Sequence, residues 1–566
     1  MAHHYIIARR KRQSPSSLDK RNRECYAFPL YTAALLPLTT QRRTPLSHNT
    51  HTARFVQNTL STALYHITAM VMGFLTPRLM ILYYGSEVNG LIVSVTEFLT
   101  YFKTVEAGLA AAAIAALYQP LANRDSDAIS GIVSAARGFY NRAGWIFAAM
   151  TLAFSAVYPF IVPVVDVNGV RMSELSVMLL VLAMGVSGVL EFFSLSRYRV
   201  LLTADQRTYV VSLTSMSSLL LSTALLVALP MLGANVIVVR LAASLTILVR
   251  SVLLYRYTQK HYPDVDVYAK PNKAALSKRW DALSVELTDV FQQGAGVILT
   301  TLITRDAGIV SVYGLYHMVT VGLWSILKMA TTGVYSIFGN LLVSSGRKVR
   351  FQNAYRDFEC LYHTACGILF GAAAVLIIPF VNLYTENVTD VNYNQPLIGL
   401  LIIAEALSNQ CKIPMDLMIS SSGRFTDVRW HCMAQVGATL VIGTALGLAG
   451  LHFYGAVGAV CGALIGVICG NLLRAGFQLS FVPKNVTGLR WQDSLKRILR
   501  MFLTVALIAA PLLLLVSPPR RFFTWFMYAA LLALYSTVVS LALAWLFDRA
   551  ALKSLLGRLK YMLKRA

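Results

Sequence analysis

The chain has 566 residues, of which 56% are hydrophobic and only 13% are charged, and it carries a net charge of +24. A soluble protein of this length would need a charged surface, typically about a quarter of its residues, over several separate cores. These figures exclude a cytosolic enzyme, a secreted disulfide scaffold and a disordered regulator. They predict a polytopic membrane protein, in which basic cytoplasmic loops explain the positive charge better than nucleic-acid binding does.

Residues 1–53 differ from the rest of the chain. They carry nine basic and two acidic residues and no apolar run long enough to cross a bilayer. We interpret this segment as a disordered, basic cytoplasmic tail.

Fourteen apolar runs follow the tail, each too long for a strand of a membrane barrel. We therefore predict an all-α protein with about fourteen transmembrane helices. The predicted helices are 57–83, 88–115, 143–164, 174–196, 208–230, 234–256, 283–304, 308–342, 361–383, 396–420, 430–451, 455–478, 499–517 and 522–547.

The basic residues are distributed as the positive-inside rule requires if the N-terminus lies in the cytoplasm. External loops then hold only four basic residues, whereas 41 of the 50 Lys and Arg residues fall in cytoplasmic loops, helix ends and tails. We predict a multi-pass protein of the cytoplasmic membrane with both termini inside the cell.

The longest cytoplasmic connection, 258–282, divides the first twelve helices into two sets of six, as in transporters built from repeats. It predicts an N-terminal lobe at 54–257 and a C-terminal lobe at 283–480. Two additional helices then lie within 481–548. Residues 549–566 alternate Leu with Lys and Arg at helical spacing, which is typical of an amphipathic helix lying on anionic lipid.

Ionisable residues inside membrane helices cost at least about 2.5 kcal/mol each and therefore indicate functional positions. Arg78 and Lys328 have no partner within one turn and are predicted to line a water-filled cavity. Lys103 and Glu106 lie on one helix face, where they either neutralise each other or form part of a site. Arg240 either snorkels to the interface or faces cargo. The remaining residues are Glu191, Glu286, Asp289, Glu405 and Lys412.

Soluble-enzyme motifs are absent: the chain has no Walker A, G-x-S-x-G or H-E-x-x-H sequence. Its seven cysteines include no C-x-x-C pair. We therefore expect no catalytic residue, no metal and no cofactor.

Several motifs recur in an order that points to a known family. Residues 82–118, LYYGSEVNGLIVSVTEFLTYFKTVEAGLAAAAIAALY, follow Arg78 and lead into residues 118–130. Later stretches are Tyr313-x-x-Tyr316 through Gly339-Asn340, Lys412–Pro414 with 422–424, and Gly455–Gly462. Together they resemble the polysaccharide-exporter branch of the MATE-like multidrug/oligosaccharidyl-lipid/polysaccharide (MOP) flippase superfamily, over roughly residues 55–545.

This resemblance implies two six-helix lobes around a central cavity that alternates its opening. The implied function is the flipping of a polyprenyl-(pyro)phosphate-linked oligosaccharide or polysaccharide precursor for the bacterial cell envelope, by a monomer. Arg and Lys suit its anionic head group. The candidate substrate-binding residues are Arg78, Lys103, Glu106, Arg240, Tyr316, Lys328, Asn340 and Lys412, and the candidate ion-coupling residues are Glu286 and Asp289.

One departure from the family concerns the seventh predicted helix. Many members carry an Asp midway along it, whereas residues 296–304 here hold no carboxylate.

A MATE-like multidrug/ion antiporter shares the fold, but its cationic cargo favours carboxylates over the basic residues found here. An integral-membrane glycan polymerase or glycosyltransferase is a more distant possibility, because it needs a long external loop with paired carboxylates.

The predicted topology can be tested with reporter fusions. A reporter fused after residue 168 should lie outside the cell, because three predicted helices precede it. A reporter fused after residue 265 should lie in the cytoplasm, because three more predicted helices lie between the two positions. A reporter pair that distinguishes the two compartments by activity measures this directly. The same compartment for both fusions would contradict the alternation of basic loops.

Overall fold

The computed structural model describes residues 48–563, except 107–108, 165–170, 273–282, 333, 344–347, 516–518 and 520, and gives only the backbone for some others. The predicted basic tail therefore lies outside the described residues up to residue 47. The first helix begins at His48, inside the segment that the sequence predicted to be disordered.

The described residues form helices and no β-strand, which confirms the all-α prediction. The helices are α1 His48–Tyr84, α2 Ser86–Lys103, α3 Leu109–Asn123, α4 Ser126–Ile161, α5 Glu174–Leu190, α6 Ser196–Ala204, α7 Thr208–Met231, α8 Val236–Leu245, α9 Ile247–His261, α10 Leu283–Thr304, α11 Ala307–Thr332, α12 Val334–Val343, α13 Lys348–Tyr384, α14 Pro396–Gln410, α15 Ile413–Ser422, α16 Arg429–Val482, α17 Trp491–Leu515, α18 Phe522–Phe547 and α19 Arg549–Leu563.

Ten helical segments among the described residues are long and apolar enough to cross a membrane, so the chain is a multi-pass membrane protein. One of them, Thr426–Thr487, contains two of the predicted spans. Three further predicted spans coincide with α2, α10 and α17, which carry more polar residues.

Two of the predicted spans are broken into shorter helices. Within the second span, the helix α2 ends at Lys103, a 3-10 turn follows at Thr104–Glu106, and the helix α3 begins at Leu109. The tenth is interrupted at Cys411 and Lys412, immediately before Pro414, because proline cannot continue the preceding hydrogen-bond ladder. This break places the Lys412 side chain inside the protein, where only 2% of it is exposed.

The two arms of α16 form a tightly packed hairpin. The chain reverses at Gly455, whose φ of 66° and ψ of −156° are accessible to glycine. Beyond it glycines recur every fourth residue, so that one face of the second arm lies directly against the backbone of the first. These glycines are Gly458, Gly462, Gly466 and Gly470.

Two large clusters of buried hydrophobic residues organise the bundle. One consists almost entirely of residues from α1 to α9, here called the first half, and the other of residues from α10 onward, the second half. The helix α2 joins them, because it packs along both α10 and α11. Gly90 of α2 lies so close to the carbonyl of Ala307 that no side chain would fit between them.

The connection between the halves is anchored to the first half. Its described part, residues 262–272, lies along α4. The Asn272 N–H donates to the carbonyl of Gly131 at 3.0 Å, and the Ser134 hydroxyl donates to the carbonyl of Ala269 at 2.6 Å. The guanidinium of Arg137 stacks on the Tyr268 ring at 3.8 Å.

The last helices are attached by buried ion pairs. Arg497 of α17 contacts Glu359 of α13 and Asp548 beside α18, each at 2.6 Å. The predicted C-terminal amphipathic helix is present as α19, where the Ser554 hydroxyl donates to Asp357 at 2.9 Å. Its binding to anionic lipid remains a prediction.

Alanine at position 462 should destabilise the protein. Its Cβ would overlap the backbone of Leu446, and overpacking of this kind typically costs about 1–3 kcal/mol. The matched control is Gly476→Ala on the same helix, where nothing lies within 4 Å of the added Cβ. Thermal unfolding of the purified proteins measures the difference, and equal unfolding temperatures would contradict the close packing.

Candidate functional site

A cavity of about 400 Å³ lies between the two halves of the bundle. Its walls are formed by α1, α2 and α8 of the first half and by α11 of the second. Four ionisable residues line it: His66, Glu97, Arg240 and His317. We call this space the central cavity.

A second cavity of about 280 Å³ lies within the first half and is lined by Lys103, Phe147, Ser222 and Arg240, among others. Because Arg240 lines both spaces, its side chain lies where the two cavities adjoin. We call the second space the lateral cavity.

Arg240 has no counter-ion among the described residues. Its Nε is buried without a hydrogen-bond partner, and no carboxylate lies within 4 Å of its guanidinium. A cation in this position is costly unless a ligand or water satisfies it. The Arg240 guanidinium therefore lies where a ligand in either cavity could reach it, and its role in cargo binding stays a prediction.

Glu97 is the residue of the central cavity that sequence analysis missed. Its carboxylate forms no ion pair or hydrogen bond with the described residues, and it lies against the backbone of Gly294 in α10. The signal was available, since Glu97 interrupts an apolar run of the second predicted helix.

An ion cluster lies beside the lateral cavity. Glu191 contacts Lys103 at 3.2 Å, Arg199 at 3.5 Å and Arg250 at 3.8 Å, and Arg199 also contacts Glu106 at 3.1 Å. Lys103 and Glu106, which sequence analysis paired with each other, thus have different partners. The cluster holds three cations against two carboxylates and so keeps an excess positive charge.

A second ion cluster lies in the second half. Asp289 contacts Lys412 at 3.0 Å and Arg474 at 2.9 Å, and Asp416 contacts Arg474 as well. Amides complete it, since Gln478 donates to Asp416 at 2.6 Å. Sequence analysis missed Arg474, because its position near the end of a predicted span suggested a cytoplasmic helix end.

These contacts bear on two candidate residues. Asp289, a predicted ion-coupling residue, is already held by two cations, and Lys412, a predicted cargo residue, is held by two carboxylates. The carboxylates and cations of this cluster balance each other. Its geometry is that of a structural network joining α10, α15 and α16.

The other candidates do not line either cavity. Arg78 and Lys328, predicted to face the lumen, are not among the lining residues of either space: Arg78 lies 5.6 Å from the centre of the Tyr384 ring, and Lys328 is exposed. The Tyr316 hydroxyl donates to the carbonyl of Tyr393 at 2.9 Å. Glu286 is exposed, and the side chain of Asn340 lies outside the described residues.

Polar contacts close one end of the bundle between the halves. Asp390 accepts hydrogen bonds from both the backbone N–H and the hydroxyl of Ser86, each at 2.7 Å. Tyr393 donates to the Ser86 hydroxyl at 2.7 Å and contacts the Ser311 hydroxyl at 2.8 Å. The carboxylate also lies at the N-terminus of α2, where the helix dipole favours it.

Solved structures with the same fold are transporters and flippases. A multidrug-resistance MATE family transporter of the MOP superfamily, in an inward-facing conformation, aligns with a TM-score of 0.55 and 16% identity, over 75% of this chain and 96% of its own. The lipid II flippase MurJ, in an inward closed conformation, aligns with a TM-score of 0.58 and 13% identity, over 86% and 98%.

A MATE transporter of Vibrio cholerae, VcmN, aligns with a TM-score of 0.52 and 12% identity, over 78% of this chain and 99% of its own. No family model and no curated protein matches the sequence. At these identities the comparisons establish the fold, which is that of MATE transporters and of MurJ.

Replacing Arg474 by glutamine should lower the unfolding temperature markedly. The substitution leaves Asp289 and Asp416 with one cation fewer, and breaking a buried ion pair costs about 3–5 kcal/mol. Arg429→Gln, on an exposed part of the same helix, is the matched control. Thermal unfolding in detergent compares them, and a stable Arg474→Gln protein would show that the second cluster is not structural.

Proposed function

We propose that this protein is a flippase that moves a polyprenyl-(pyro)phosphate-linked glycan precursor across the membrane by alternating access. The main support is the central cavity between the halves, where Arg240 has no counter-ion among the residues that the structure describes. A guanidinium binds phosphate oxygens through two parallel hydrogen bonds, which suits the head group of such a lipid.

The charge around the cavities supports an anionic cargo. Arg240 lies between the central and lateral cavities, and Lys103 lines the lateral one beside a cluster with excess positive charge. A charged head group cannot cross hydrocarbon unaided, whereas a cavity with these cations compensates its charge. The MurJ fold adds support, since that protein is a flippase of lipid II.

The closed end of the bundle is assigned to the outside of the cell by the distribution of basic residues. The contacts among Ser86, Asp390 and Tyr393 would then form an external gate, and the cavities would receive cargo from the cytoplasmic leaflet. In this proposal the two six-helix lobes separate at that gate when cargo is released.

Glu97 favours a second candidate function, a MATE-like antiporter for a cationic compound. A carboxylate without a partner in a central cavity can bind a cation as readily as Arg240 can bind an anion. The sign of the cargo charge therefore distinguishes the two functions.

Arg240→Gln should weaken binding of geranylgeranyl diphosphate to the protein in lipid nanodiscs by roughly tenfold or more, because a charge-assisted hydrogen bond contributes about 1.5–3 kcal/mol. Arg171→Gln, at an exposed position, is the matched control and should bind normally. Binding is followed by intrinsic fluorescence, with a lipophilic cation in a parallel titration. Binding of the cation but not the diphosphate would favour the antiporter.

A further inference from the structure

We propose that Glu97 is a proton-binding site of the central cavity, and that this carboxylate takes up one proton when an anionic head group binds at Arg240. The inference rests on the proposed function, since it assumes an anionic cargo. It adds a coupling ion, the proton, and assigns that ion to a residue that is not a member of the ion cluster at Asp289.

The Glu97 carboxylate has no ion-pair or hydrogen-bond partner among the described residues. No Lys or Arg of the described residues lies within 4 Å of its carboxylate, and no hydrogen bond reaches it. The other carboxylates near the cavities are paired: Glu106 with Arg199, and Glu191 with Lys103, Arg199 and Arg250. Glu97 is thus a carboxylate that a ligand from the cavity must neutralise.

The groups around Glu97 supply no fixed counter-charge. The titratable and charged side chains near it are Tyr101 and Lys103 of α2, His66 of α1, Arg240 of α8, and Tyr313, His317 and Lys328 of α11, of which Lys328 acts on His66. On α10, Glu286 is exposed and Asp289 is held by Lys412 and Arg474. Lys103 is paired with Glu191. Arg240 lines the same cavity without contacting Glu97, so both charges remain available to separate ligands.

Cargo binding and proton binding favour each other electrostatically. A phosphate that enters the cavity is attracted by Arg240 and repelled by an ionised Glu97. Uptake of a proton converts that carboxylate to a neutral carboxyl group and removes the repulsion, and the bound phosphate in turn stabilises the protonated form. The proton comes from hydronium in the surrounding water, which leaves as a water molecule, and no covalent bond of the protein or the cargo is broken.

A proton fits this site better than a metal ion does. Hard cations require several oxygen ligands, commonly six or more for calcium. The described residues contain no group of three or more His, Cys, Asp and Glu side chains arranged to hold a metal. A single carboxylate is sufficient for a proton.

The position of Glu97 connects its charge to movement of the halves. Its Oε2 lies 2.7 Å from the point where a Cβ on Gly294 of α10 would sit, so the carboxylate is pressed against the second half. The hydroxyl of the adjacent Tyr101 donates to the carbonyl of Phe291 in the same helix. Protonation therefore changes the charge directly at the contact between α2 and α10.

The test measures binding of geranylgeranyl diphosphate to the full chain in nanodiscs between about pH 5 and pH 9. If the wild type takes up one proton as the probe binds, its affinity for the probe should fall by up to about tenfold for each unit that the pH rises. Glu97→Gln should bind the probe with most of this dependence removed. The probe itself titrates in this range, and its contribution is the same for every variant.

One matched variant and one direct measurement complete the test. Glu174→Gln, at an exposed position, should retain the pH dependence of the wild type. A pH-indicator dye in weak buffer should report an additional proton taken up by the wild type relative to Glu97→Gln as the probe binds.

Each outcome bears on one of the two proposals. If the wild type binds no diphosphate at any pH, the proposed function fails. If it binds but Glu97→Gln keeps the same pH dependence, or if the dependence disappears in His317→Gln instead, the proton site at Glu97 is wrong. A loss of binding on replacing sodium by N-methylglucamine, abolished in Glu97→Gln, would also overturn it by showing a sodium site.

Discussion

Ionised groups within a bilayer must be compensated, and this requirement organises the interior of the protein. Two clusters meet it by pairing charges from helices that are distant in sequence: Glu191 with Lys103 and Arg250 in the first half, and Asp289 with Lys412 and Arg474 in the second. Each cluster fixes the relative positions of several helices, because its oppositely charged members come from different helices. Arg240 and Glu97 belong to neither cluster, and both line the central cavity.

The helix α2 connects these charges to the contact between the halves. Its first turn is held by Asp390, its middle approaches α11 at Gly90, and its last turns carry Glu97 and Lys103. Glu97 and Ser86 lie on the same helix, and a rigid helix moves as a unit. A displacement of α2 caused by a change of charge at Glu97 would therefore also move Ser86 and its polar contacts. Helix α2 can therefore relate the occupancy of the cavity to the state of the closed end.

The sequence predicted the helices well where composition alone decides them. Helices α10 and α18 begin and end at the predicted residues, and α18 is a continuous apolar run between polar residues. The breaks at Thr104 and Lys412 were not predicted, since they depend on which tertiary partners replace the lost backbone hydrogen bonds. The ion pairs could not be predicted from the sequence either. Lys103 and Glu106 lie in one predicted helix, but their partners, Glu191 and Arg199, come from elements about 90 residues away.

The distinction between structural and functional charges likewise depended on tertiary contacts. The sequence favoured Arg78 and Lys328 as cavity residues, and it named both Lys412 and Arg240 as candidates for binding cargo. The structure separates them by their partners, since Lys412 lies between two carboxylates and Arg240 has none among the described residues. A cation and a carboxylate that line one cavity without forming an ion pair lose the stabilisation that the pair would give. Their separation leaves each free to bind a ligand of opposite charge, which is what a transporter of a charged cargo requires of its cavity.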